Sequence, residues 1–508
     1  MNVRDHTVTK GLSARTPAGL PSEIDHYIDG RMVASTTGER FVNIEPVSNR
    51  EYSSVAAGTS EDVDCAVRAA GRAFEGGSWS TLPIKERANV LRRIAQAIRD
   101  REDEIVTCET FDTGIPVTQV KGQAARAAEN FDFFASLIVA LHEDAFSVDT
   151  RQLNYVLRKP IGVAGLITPW NTPFMLETWK LAPALASGCS VVLKPAEWTP
   201  LSASLLPAIM EEAGVSPGVF NVVHGIGEIA GASLVAHHAV PLISFTGETI
   251  TGRNIMRSSA DHLKGLSMEL GGKSPCIVFS DADIEAAVDS ALFGAFSLNG
   301  ERCTASSRVL VETSVYDAFV SELAQRAKRV VVGLPEDPAT ELGALVHPDH
   351  YGRVVGYVTT GIEEGAELVA GGSRPSHLSS GNFLEATVFA NVAPTMRIFQ
   401  EEIFGPVMCV TPFSTEDQAV TLANGTKFGL AAYIWTNDIR RAHRLASRMD
   451  AGMTWINSHN VRDLRTPFGG LKASGVGQEG GERSIDFYTS RRAVHVALEA
   501  LHVARFGL

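Results

Sequence analysis

The sequence predicts an α/β fold with two domains, each built around a largely parallel β-sheet. From about residue 60, short β-branched stretches alternate with segments whose apolar residues recur at the three- and four-residue spacing of an amphipathic helix. Strands that alternate with helices favour crossover connections and a parallel sheet that is buried on both faces. A chain of 508 residues is longer than one hydrophobic core usually accommodates, so two or more domains are expected.

The predicted elements divide into two alternating regions. In the first, helices are expected over 61–75 and 85–105, and the predicted strands are 163–167, 190–193, 220–223, 242–245 and 276–279. The second region, from about 282 to 470, has helical patterns at 314–330, 349–364 and 438–449. Residues 141–160 interrupt the first region with the polar, alternating pattern of a hairpin, which needs a neighbouring domain or another subunit as a partner.

Composition narrows the classes of function. A formal net charge of −13 argues against non-specific binding to nucleic acid or to an anionic membrane, and the overall composition is that of an ordinary globular protein. The six cysteines show neither metal-ligand spacing nor a disulfide framework: Cys65, Cys108, Cys189, Cys276, Cys303 and Cys409. Residues 1–24 lack the apolar segment of a signal peptide, and no run approaches the ~18 apolar residues of a membrane span. We therefore expect a cytoplasmic protein with a loose N-terminal arm and small-molecule partners.

Two predicted strands end in side chains suited to contact a ligand, and ligands in open α/β sheets gather at the carboxyl ends of strands. After strand 163–167, two loop-favouring residues and a tryptophan precede Asn171, whose amide either faces a ligand or caps the loop. After the next strand, Lys194 and Glu197 lie three residues apart. They either bind a ligand or form a charged pair at a helix entrance.

Two glycine turns are candidates for holding a phosphate. The stretch 244–252 opens a helix after a strand, and a helix start offers free backbone N–H groups and a partial positive charge. Gly225, Gly227 and Gly231 miss the GxGxxG spacing of the common dinucleotide turn by one residue. Neither turn is specific when it is taken alone.

Two further residues have the character of a nucleophile and of a base. Cys303 lies between a glycine-broken helix end and a run of small polar residues, so it is either a small buried residue or a nucleophile. Glu269 is flanked by apolar residues and followed by paired glycines. Such surroundings raise the pKa of a carboxyl group and suit a general base, although an ion pair with Lys273 is the alternative.

From about residue 25 to 500, the order of these segments resembles the aldehyde dehydrogenase superfamily. The motifs PWNTPF, LKPAEWTP, FTGETITG, MELGGKSP, NGERCTA, EEIFGPV and PFGGLKASG occur in that family's order and spacing. The resemblance implies an aldehyde dehydrogenase fold and, with it, a homodimer or homotetramer. Its implied parts are a Rossmann-like NAD-binding domain (25–140 and 161–267), an α/β catalytic domain (268–483) and a small β element for oligomerisation (141–160 and 484–500).

The resemblance also implies a mechanism. Cys303 attacks the aldehyde carbon as a thiolate, and the Asn171 amide and the Cys303 backbone N–H hold the resulting oxyanion. Hydride then leaves to NAD, and Glu269 activates the water that hydrolyses the thioester to an acid. Cofactor contacts are implied for Thr168, Pro169, Trp170, Lys194, Glu197, Gly227, Gly231, Phe245, Thr246, Gly247, Leu270, Gly271, Glu402 and Phe404.

Three acids bear on the cofactor in particular. The resemblance places Lys194 and Glu197 on the adenine ribose, with Glu402 on the nicotinamide ribose. A carboxylate at Glu197 would accept the ribose 2′-hydroxyl and repel a 2′-phosphate, which favours NAD over NADP. Glu248 stands where family members often have a small serine, and an acid beside a pyrophosphate is unfavourable unless it turns outward.

Finer phrases resemble the semialdehyde dehydrogenases of aromatic degradation, especially those for 5-carboxymethyl-2-hydroxymuconate semialdehyde and its 2-hydroxy- and 2-aminomuconate relatives. These phrases are FSLNGERCTASSR, TGRNIM, IEEGAELVAGG and the stretch 460–470. A carboxylated semialdehyde needs fixed cations near the tunnel, and arginine binds a carboxylate by two parallel hydrogen bonds. A broad-specificity enzyme for neutral aldehydes is the alternative.

The expected substrate-binding residues are Arg126, Arg465 and Phe468. The resemblance places Arg465, in the loop before the Pro-Phe-Gly-Gly turn, on the substrate carboxylate. Arg126 and Phe133 lie only ~20° apart on the helix side opposite an alanine-rich stripe, which indicates a second buried face along a substrate passage. The alternative is a surface arginine beside a stray aromatic. Arg462 is a third candidate for binding the substrate carboxylate, although we expect it to pair with Asp463 or another acid. We expect Arg302 to mark the subfamily without binding substrate.

Competing classes of function make different predictions. A coenzyme A-dependent acylating dehydrogenase would pass the thioester to a thiol and would have little use for Glu269. A non-catalytic protein of this fold would have lost part of the constellation, yet Asn171, Glu269, Cys303 and Glu402 are all present. Metal-dependent hydrolysis finds no ligand set in the sequence.

Overall fold

Two large sheets organise the computed structural model, which describes residues 16–17, 19–500 and 503–507. Successive residues of a central strand belong to different apolar clusters, because side chains alternate across a strand. Ala164 and Leu166 pack in one cluster, whereas Val163 and Ile167 pack in another. Each sheet is therefore buried on both faces, as the near-continuous apolar strands predict.

The first sheet has eight strands, and its five central strands are parallel. In spatial order the strands are Gly475–Val476, Gly265–Glu269, Leu242–Thr246, Val163–Ile167, Ser190–Lys194, Phe220–Val222, His26–Ile28 and Arg31–Val33. From Val163–Ile167 the chain builds outward on one side and then returns to Leu242–Thr246 on the other. This reversal opens a crevice at the carboxyl ends of those two strands, where open α/β sheets bind ligands.

The second sheet has seven strands, of which only the edge strand Glu367–Ala370 is antiparallel to its neighbour. In spatial order the strands are Glu367–Ala370, Thr387–Ala390, Val407–Phe413, Arg308–Glu312, Pro275–Val278, Ala431–Trp435 and Met453–Ile456. The parallel order follows from the helices that connect consecutive strands.

Three small sheets complete the β structure of the described residues. One joins Glu23–Ile24, Glu51–Ala56 and Arg40–Ile44, and a second joins Phe428–Gly429 to Leu471–Lys472. The third, which we call the peripheral sheet, consists of Thr489–Ala497, Gln152–Pro160 and Ala145–Asp149. It unites the two segments expected to form an oligomerisation element, although that role remains a prediction.

The helices of the described residues cover the sheets and connect their strands. In the first region they are Ser60–Glu75, Ile84–Asp100, Glu102–Thr113, Val117–Ala140, Pro173–Ser187, Leu206–Glu212, Ala232–Ala236 and Thr249–Ser259. In the second they are Ile284–Phe296, Tyr316–Ala327, Pro348–Glu363, Arg397–Gln400, Glu416–Asn424, Ile439–Ala446 and Gly481–Tyr488. None of these helices is both long enough and apolar enough to cross a membrane.

The structure differs from the expected division of the chain at several points. The boundary between 267 and 268 falls inside strand Gly265–Glu269, which also pairs with Gly475–Val476. Helix Gly481–Tyr488 buries Ile485 and Tyr488 in the core of the first region. The end of the catalytic segment therefore packs on the first domain. The helix expected over 85–105 is interrupted at Arg101, and residues 23–24 of the expected arm form a strand.

Candidate active site

A cavity of about 420 Å³ opens at the crevice of the first sheet. Residues that follow the strands Val163–Ile167 and Leu242–Thr246 line it, together with residues from the second region. The three expected catalytic residues, Asn171, Glu269 and Cys303, all lie in its wall. The fold thus brings together side chains that are far apart in the sequence.

A tight turn carries Cys303 from the end of helix Ile284–Phe296 into the cavity. Leu298, Asn299 and Gly300 have φ angles of 54°, 58° and 70°, a left-handed conformation that is costly for residues with a side chain. The Asn299 amide donates hydrogen bonds of 3.1 and 2.9 Å to two loop carbonyls and accepts one of 2.8 Å. A Cβ on Gly300 would lie 2.4 Å from a neighbouring backbone carbon, so glycine is required there.

The Cys303 thiol is partly exposed and free. Burial raises its pKa to about 12; Glu402 contributes to the increase, and Arg302 opposes it. The resting side chain is therefore a neutral thiol at neutral pH, and it needs a base before it can act as a nucleophile.

Asn171 is buried and is held by the loop that carries the cysteine. Its Nδ2 donates to the backbone carbonyl of Glu301 at 2.8 Å, and the Glu301 carboxylate accepts a hydrogen bond from the Val346 N–H at 3.0 Å. An amide nitrogen carries two hydrogens, so one remains for a ligand. Glu301 is thus a positioning residue for Asn171.

Glu269 is buried without a hydrogen-bond partner for either carboxyl oxygen among the described residues. Burial and, next, repulsion from Glu479 raise its pKa well above the usual value. The alternative ion pair with Lys273 does not form, because the Lys273 ammonium is also buried without a partner in the described part of the chain. Glu269 therefore has the environment that the sequence predicts for a general base.

Glu479, which the sequence analysis missed, has the opposite environment. Its carboxylate accepts hydrogen bonds from Lys180 at 2.8 Å, Ser244 at 2.9 Å and Ser267 at 3.2 Å, and another from the Trp179 indole. Burial works against ionisation, but these partners hold the pKa of Glu479 below its usual value. The pKa values of these two neighbouring carboxyl groups are thus shifted in opposite directions. The signal in the sequence is Lys180, a cation within the mostly apolar stretch 173–187.

The expected cofactor residues fall into two groups. Eight of them line the cavity: Pro169, Trp170, Thr246, Gly247, Leu270, Gly271, Glu402 and Phe404. The others lie outside its wall: Thr168, Lys194, Glu197, Gly227, Gly231 and Phe245. At the end of strand Ser190–Lys194, the Lys194 ammonium donates to the Glu197 carboxylate at 2.7 Å. Burial opposes ionisation of Glu197, but Lys194 and backbone N–H groups that include that of Gly227 lower its pKa.

These residues fit a dinucleotide. A Cβ on Gly271 would lie 2.1 Å from a Glu402 carboxyl oxygen, and one on Gly247 would lie 2.5 Å from the Phe245 ring, so a larger residue at either position would displace that side chain. The hydroxyl of Thr246 is buried without a partner among the described residues. The Glu402 carboxylate accepts a backbone N–H at 2.8 Å, and burial raises its pKa to about 7. Glu197 and Glu402 are two separate carboxyl groups of the kind that can accept ribose hydroxyl groups.

Glu248 turns outward at the mouth of the cavity. Its side chain is 59% exposed and lies 3.9 Å from the Arg353 guanidinium. This is the orientation that an acid needs in order to avoid a pyrophosphate at the same turn.

The structure corrects the expectation for Arg465. Its side chain is 80% exposed, lies outside the wall of the cavity and binds the Asp463 carboxylate, with Nε 2.9 Å from Oδ1. The reason is local: a turn from Asp463 to Thr466 directs Arg465 back onto the acid two residues before it. The ion pair with Asp463 that was expected for Arg462 is therefore made by Arg465.

Four other arginines line the cavity: Arg126, Arg302, Arg353 and Arg462. The Arg462 guanidinium carbon lies 3.8 Å from the centre of the Trp179 ring system and 4.2 Å from that of Phe468, which also lines the cavity. Its Nη2 is buried without a hydrogen-bond partner among the described residues. Burial and then the charge of Arg126 lower its pKa to about 9.

Arg126 occupies the helix face opposite the alanine-rich stripe, as the sequence predicts. Ala124, Ala127, Ala128, Phe131 and Phe134 of that stripe are buried in the first core. Arg126 is half-buried, lines the cavity and forms no ion pair with a described carboxylate. Burial and, next, the charge of Arg302 lower its pKa, which Glu129 partly offsets. It is therefore not a solvated surface arginine.

Across the described residues, no group of His, Cys, Asp or Glu side chains is arranged to hold a metal ion.

Comparisons with known proteins agree with this geometry. The chain matches the model of the aldehyde dehydrogenase family over residues 32–494. It is 48% identical over 465 residues to 5-carboxymethyl-2-hydroxymuconate semialdehyde dehydrogenase of Escherichia coli, an alignment that covers 90% of this chain and 98% of that protein. It is 42% identical over 485 residues to 2-hydroxymuconic semialdehyde dehydrogenase of Pseudomonas sp. (strain CF600), which covers 94% of this chain and 100% of that protein.

A solved structure gives the same result for the fold. An NAD+ complex of aldehyde dehydrogenase from Bacillus cereus aligns with a TM-score of 0.92 and 39% identity over 94% of this chain and 97% of that one. The order of motifs, the fold and the extent of the match all lead to one conclusion: the chain belongs to the aldehyde dehydrogenase family.

Proposed function

We propose that this chain is an NAD-dependent dehydrogenase that oxidises a carboxylated semialdehyde to the corresponding acid. The observation that carries the substrate class is the environment of Arg462. A buried guanidinium with an unpaired nitrogen, in the same cavity as Cys303, calls for an anionic ligand. The similarity to two semialdehyde dehydrogenases supports the same class.

The residues of the cavity divide the reaction between them. Cys303, which is partly exposed, releases its proton to solvent and its sulfur bonds to the aldehyde carbon; the carbonyl oxygen becomes an oxyanion held by the Asn171 amide and the Cys303 backbone N–H. NAD, when bound, supplies the acceptor for the hydride that leaves this carbon. Glu269 then takes a proton from water, whose oxygen attacks the resulting thioester and releases the acid and the Cys303 thiol.

Two acids are proposed to hold the cofactor. Glu197 and Glu402 would accept hydroxyl groups of the two ribose rings, and the negative charge of Glu197 would repel a 2′-phosphate. The NAD+ complex of the Bacillus cereus relative supports this choice.

The substrate carboxylate is assigned to Arg462 and Arg126. Arg462 is held between two aromatic rings, so its guanidinium is already oriented before substrate binds. Arg126 lines the same cavity and its positive charge lowers the pKa of Arg462, which supports a shared role in binding one carboxylate.

The proposal is tested by comparing 2-hydroxymuconic semialdehyde, which bears one carboxylate, with neutral hexanal. Arg462→Ala and Arg126→Ala should each raise KM for the acid about 10- to 100-fold, since a hydrogen bond to a charged group contributes about 1.5–3 kcal/mol. In these two variants the KM for hexanal should stay within about twofold of the wild-type value. Arg440→Ala is a matched change on the exposed face of another helix, and it should leave the KM values for both aldehydes within about twofold. Equal losses on both substrates would contradict a carboxylate site. Activity that requires added coenzyme A would instead indicate an acylating dehydrogenase.

The peripheral sheet is proposed to join subunits into a homodimer or homotetramer. Its strands expose Phe146, Leu153 and Leu157 to 56%, 37% and 38%, and such an apolar surface favours cover by a second copy. A solution mass of one chain, measured by light scattering, would contradict it.

The six described cysteines are all unpaired, which suits a reducing, cytoplasmic location.

A further inference from the structure

His350 lies between two turns of the cavity wall, and the reaction as described gives it no part. One is the cysteine turn (298–303), and the other is the Phe404 turn (404–405). The side chain of His350 is buried, and the residue lines the same cavity as Phe404 and Cys303. We infer that His350 is a positioning residue that sets the Phe404 turn against the cysteine turn and so fixes the nicotinamide ring relative to the thiol. The inference rests on the proposed function, because it takes Phe404 as a contact of the nicotinamide ring.

The Phe404 turn needs support from outside its own backbone. Phe404 has a φ angle of 60°, a left-handed conformation that is unfavourable for a residue with a side chain and persists only where its surroundings hold it. The Nε2 atom of His350 lies 2.7 Å from the Phe404 carbonyl oxygen. Because a carbonyl oxygen can only accept, Nε2 carries the hydrogen and donates it. His350 therefore holds the left-handed residue by its backbone.

The helix that carries His350 also packs on this turn. His350 lies in the first turn of helix Pro348–Glu363, and Val354 follows four residues later. A Cβ on Gly405 would lie 2.7 Å from the Val354 side chain, so the backbone after Phe404 lies directly on the helix. The hydrogen bond from His350 thus has a rigid base.

Aromatic contacts fix the orientation of the His350 ring. Its centre lies 4.9 Å from that of the Trp170 ring system, which also meets the Phe404 ring edge-on at 5.2 Å. The rings of His350 and Phe404 lie 6.2 Å apart at an angle of 70°. The three rings therefore form one packed group, and the His350 N–H is directed at the turn before any ligand binds.

The same histidine faces the cysteine turn. Its Nε2 lies 3.6 Å from a carboxyl oxygen of Glu301, whose backbone carbonyl accepts the Asn171 amide. Burial lowers the pKa of His350 to about 4, so its imidazole is neutral at neutral pH and this contact is not an ion pair. The two turns also touch directly, because a Cβ on Gly300 would lie 2.4 Å from the backbone carbon of Gly405.

His350 is thus packed between the turn that carries the nucleophile and the turn that carries Phe404. Hydride passes directly from the substrate carbon to the cofactor, so its rate depends steeply on the distance between them. Without the His350 N–H, Phe404 should relax from its left-handed conformation, and the nicotinamide ring should lose its fixed distance from the thiol. The aldehyde would still bind, since its proposed contacts lie at the other end of the cavity.

The test separates the N–H donor of His350 from its ring. His350→Phe keeps a flat ring but has no donor, whereas His350→Gln keeps an N–H donor without the ring. In stopped-flow assays with 2-hydroxymuconic semialdehyde and with hexanal, His350→Phe should slow the first burst of NADH about 10- to 100-fold. His350→Gln should recover most of that rate. The KM for each aldehyde should stay within about twofold of the wild-type value, and deuterium at the aldehyde carbon should slow the burst of His350→Phe.

A double-mutant cycle tests whether His350 acts through Phe404. In the Phe404→Ala background, His350→Phe should change the burst rate by less than about twofold, because the ring that transmits its effect is already absent. Full additivity would show that His350 contacts the cofactor or the substrate directly, which overturns the inference. His443→Phe, on the exposed face of helix Ile439–Ala446, is the matched control and should leave the burst unchanged.

The outcomes separate this inference from the proposed function. If the wild-type enzyme gives no burst of NADH with either aldehyde, the proposed mechanism itself fails. If the wild-type burst is present and His350→Phe keeps its full rate, the positioning role is overturned and the proposed function stands. Equal losses in His350→Phe and His350→Gln would show that the donor does not matter, which also overturns the inference. His350→Ala compared with His350→Gln gives the same contrast if His350→Phe does not fold.

Discussion

The proposed cofactor end and the proposed substrate end of the cavity are built in different ways. At the cofactor end, the side chains follow directly after strands of the first sheet, so backbone hydrogen bonds fix where they lie. At the substrate end, the charged groups come from helix Val117–Ala140, from the cysteine loop and from the loop that contains Arg462. Their positions depend on side-chain packing against aromatic rings. A site on strand ends can therefore be located from the sequence, whereas a site on loops cannot.

The largest effect is expected for Glu269, where the two ends meet. Glu269→Gln should lower steady-state kcat about 10³-fold, because the thioester would lose the base that activates water. A first burst of NADH should remain, since the steps before hydrolysis do not need this group. Stopped-flow absorbance of NADH measures both phases. Loss of the burst would show that a step up to hydride transfer needs Glu269. It would contradict the proposal that Glu269 acts only in hydrolysis of the thioester.

The pH profile of the wild-type enzyme sharpens that test. Glu269 acts as a base only when it is deprotonated, and burial together with Glu479 raises its pKa. The kcat for hydrolysis should therefore rise with pH, and the rise should lie well above the usual range of a carboxyl group. The residual kcat of Glu269→Gln should not follow this rise.

A smaller effect is expected at the cofactor end. Glu197→Ala should raise KM for NAD about tenfold and should lower KM for NADP, because the variant loses both an acceptor for the 2′-hydroxyl and the charge that repels a 2′-phosphate. Steady-state assays with each cofactor measure the ratio. An unchanged preference for NAD over NADP would contradict the proposed contact between Glu197 and the adenine ribose. The aldehyde KM should not change, which keeps the two ends distinct.

The smallest effect is expected for Arg465. Its guanidinium is solvent-exposed and bound to Asp463, so Arg465→Ala should leave KM for 2-hydroxymuconic semialdehyde within about twofold of the wild-type value. The same assay gives the larger change for Arg462→Ala, three positions earlier in the same loop. A large increase in KM for this aldehyde in Arg465→Ala would contradict the conclusion that Arg465 does not bind substrate.

The sequence predicts the fold more completely than it predicts which side chains lie together around Cys303. The strand ends, the glycine turns and the apolar surroundings of Glu269 all follow from local pattern, and the matched motifs identify the family. Glu479 was missed because its partners come from two strands and a helix, which only the folded chain brings together. The ion pair of Arg465 with Asp463 was expected for Arg462, because the sequence of this loop does not reveal which arginine meets Asp463 and which meets Trp179.

The left-handed turn before Cys303 has a mechanical consequence. The Asn299 amide bonds to the carbonyls of Gly114 in the first region and Ala344 in the second, so one side chain ties the nucleophile loop to both halves of the molecule. Any shear between the halves would be transmitted through this amide to the thiol. The position of the Cys303 thiol is thus expected to depend on how the two halves pack against each other.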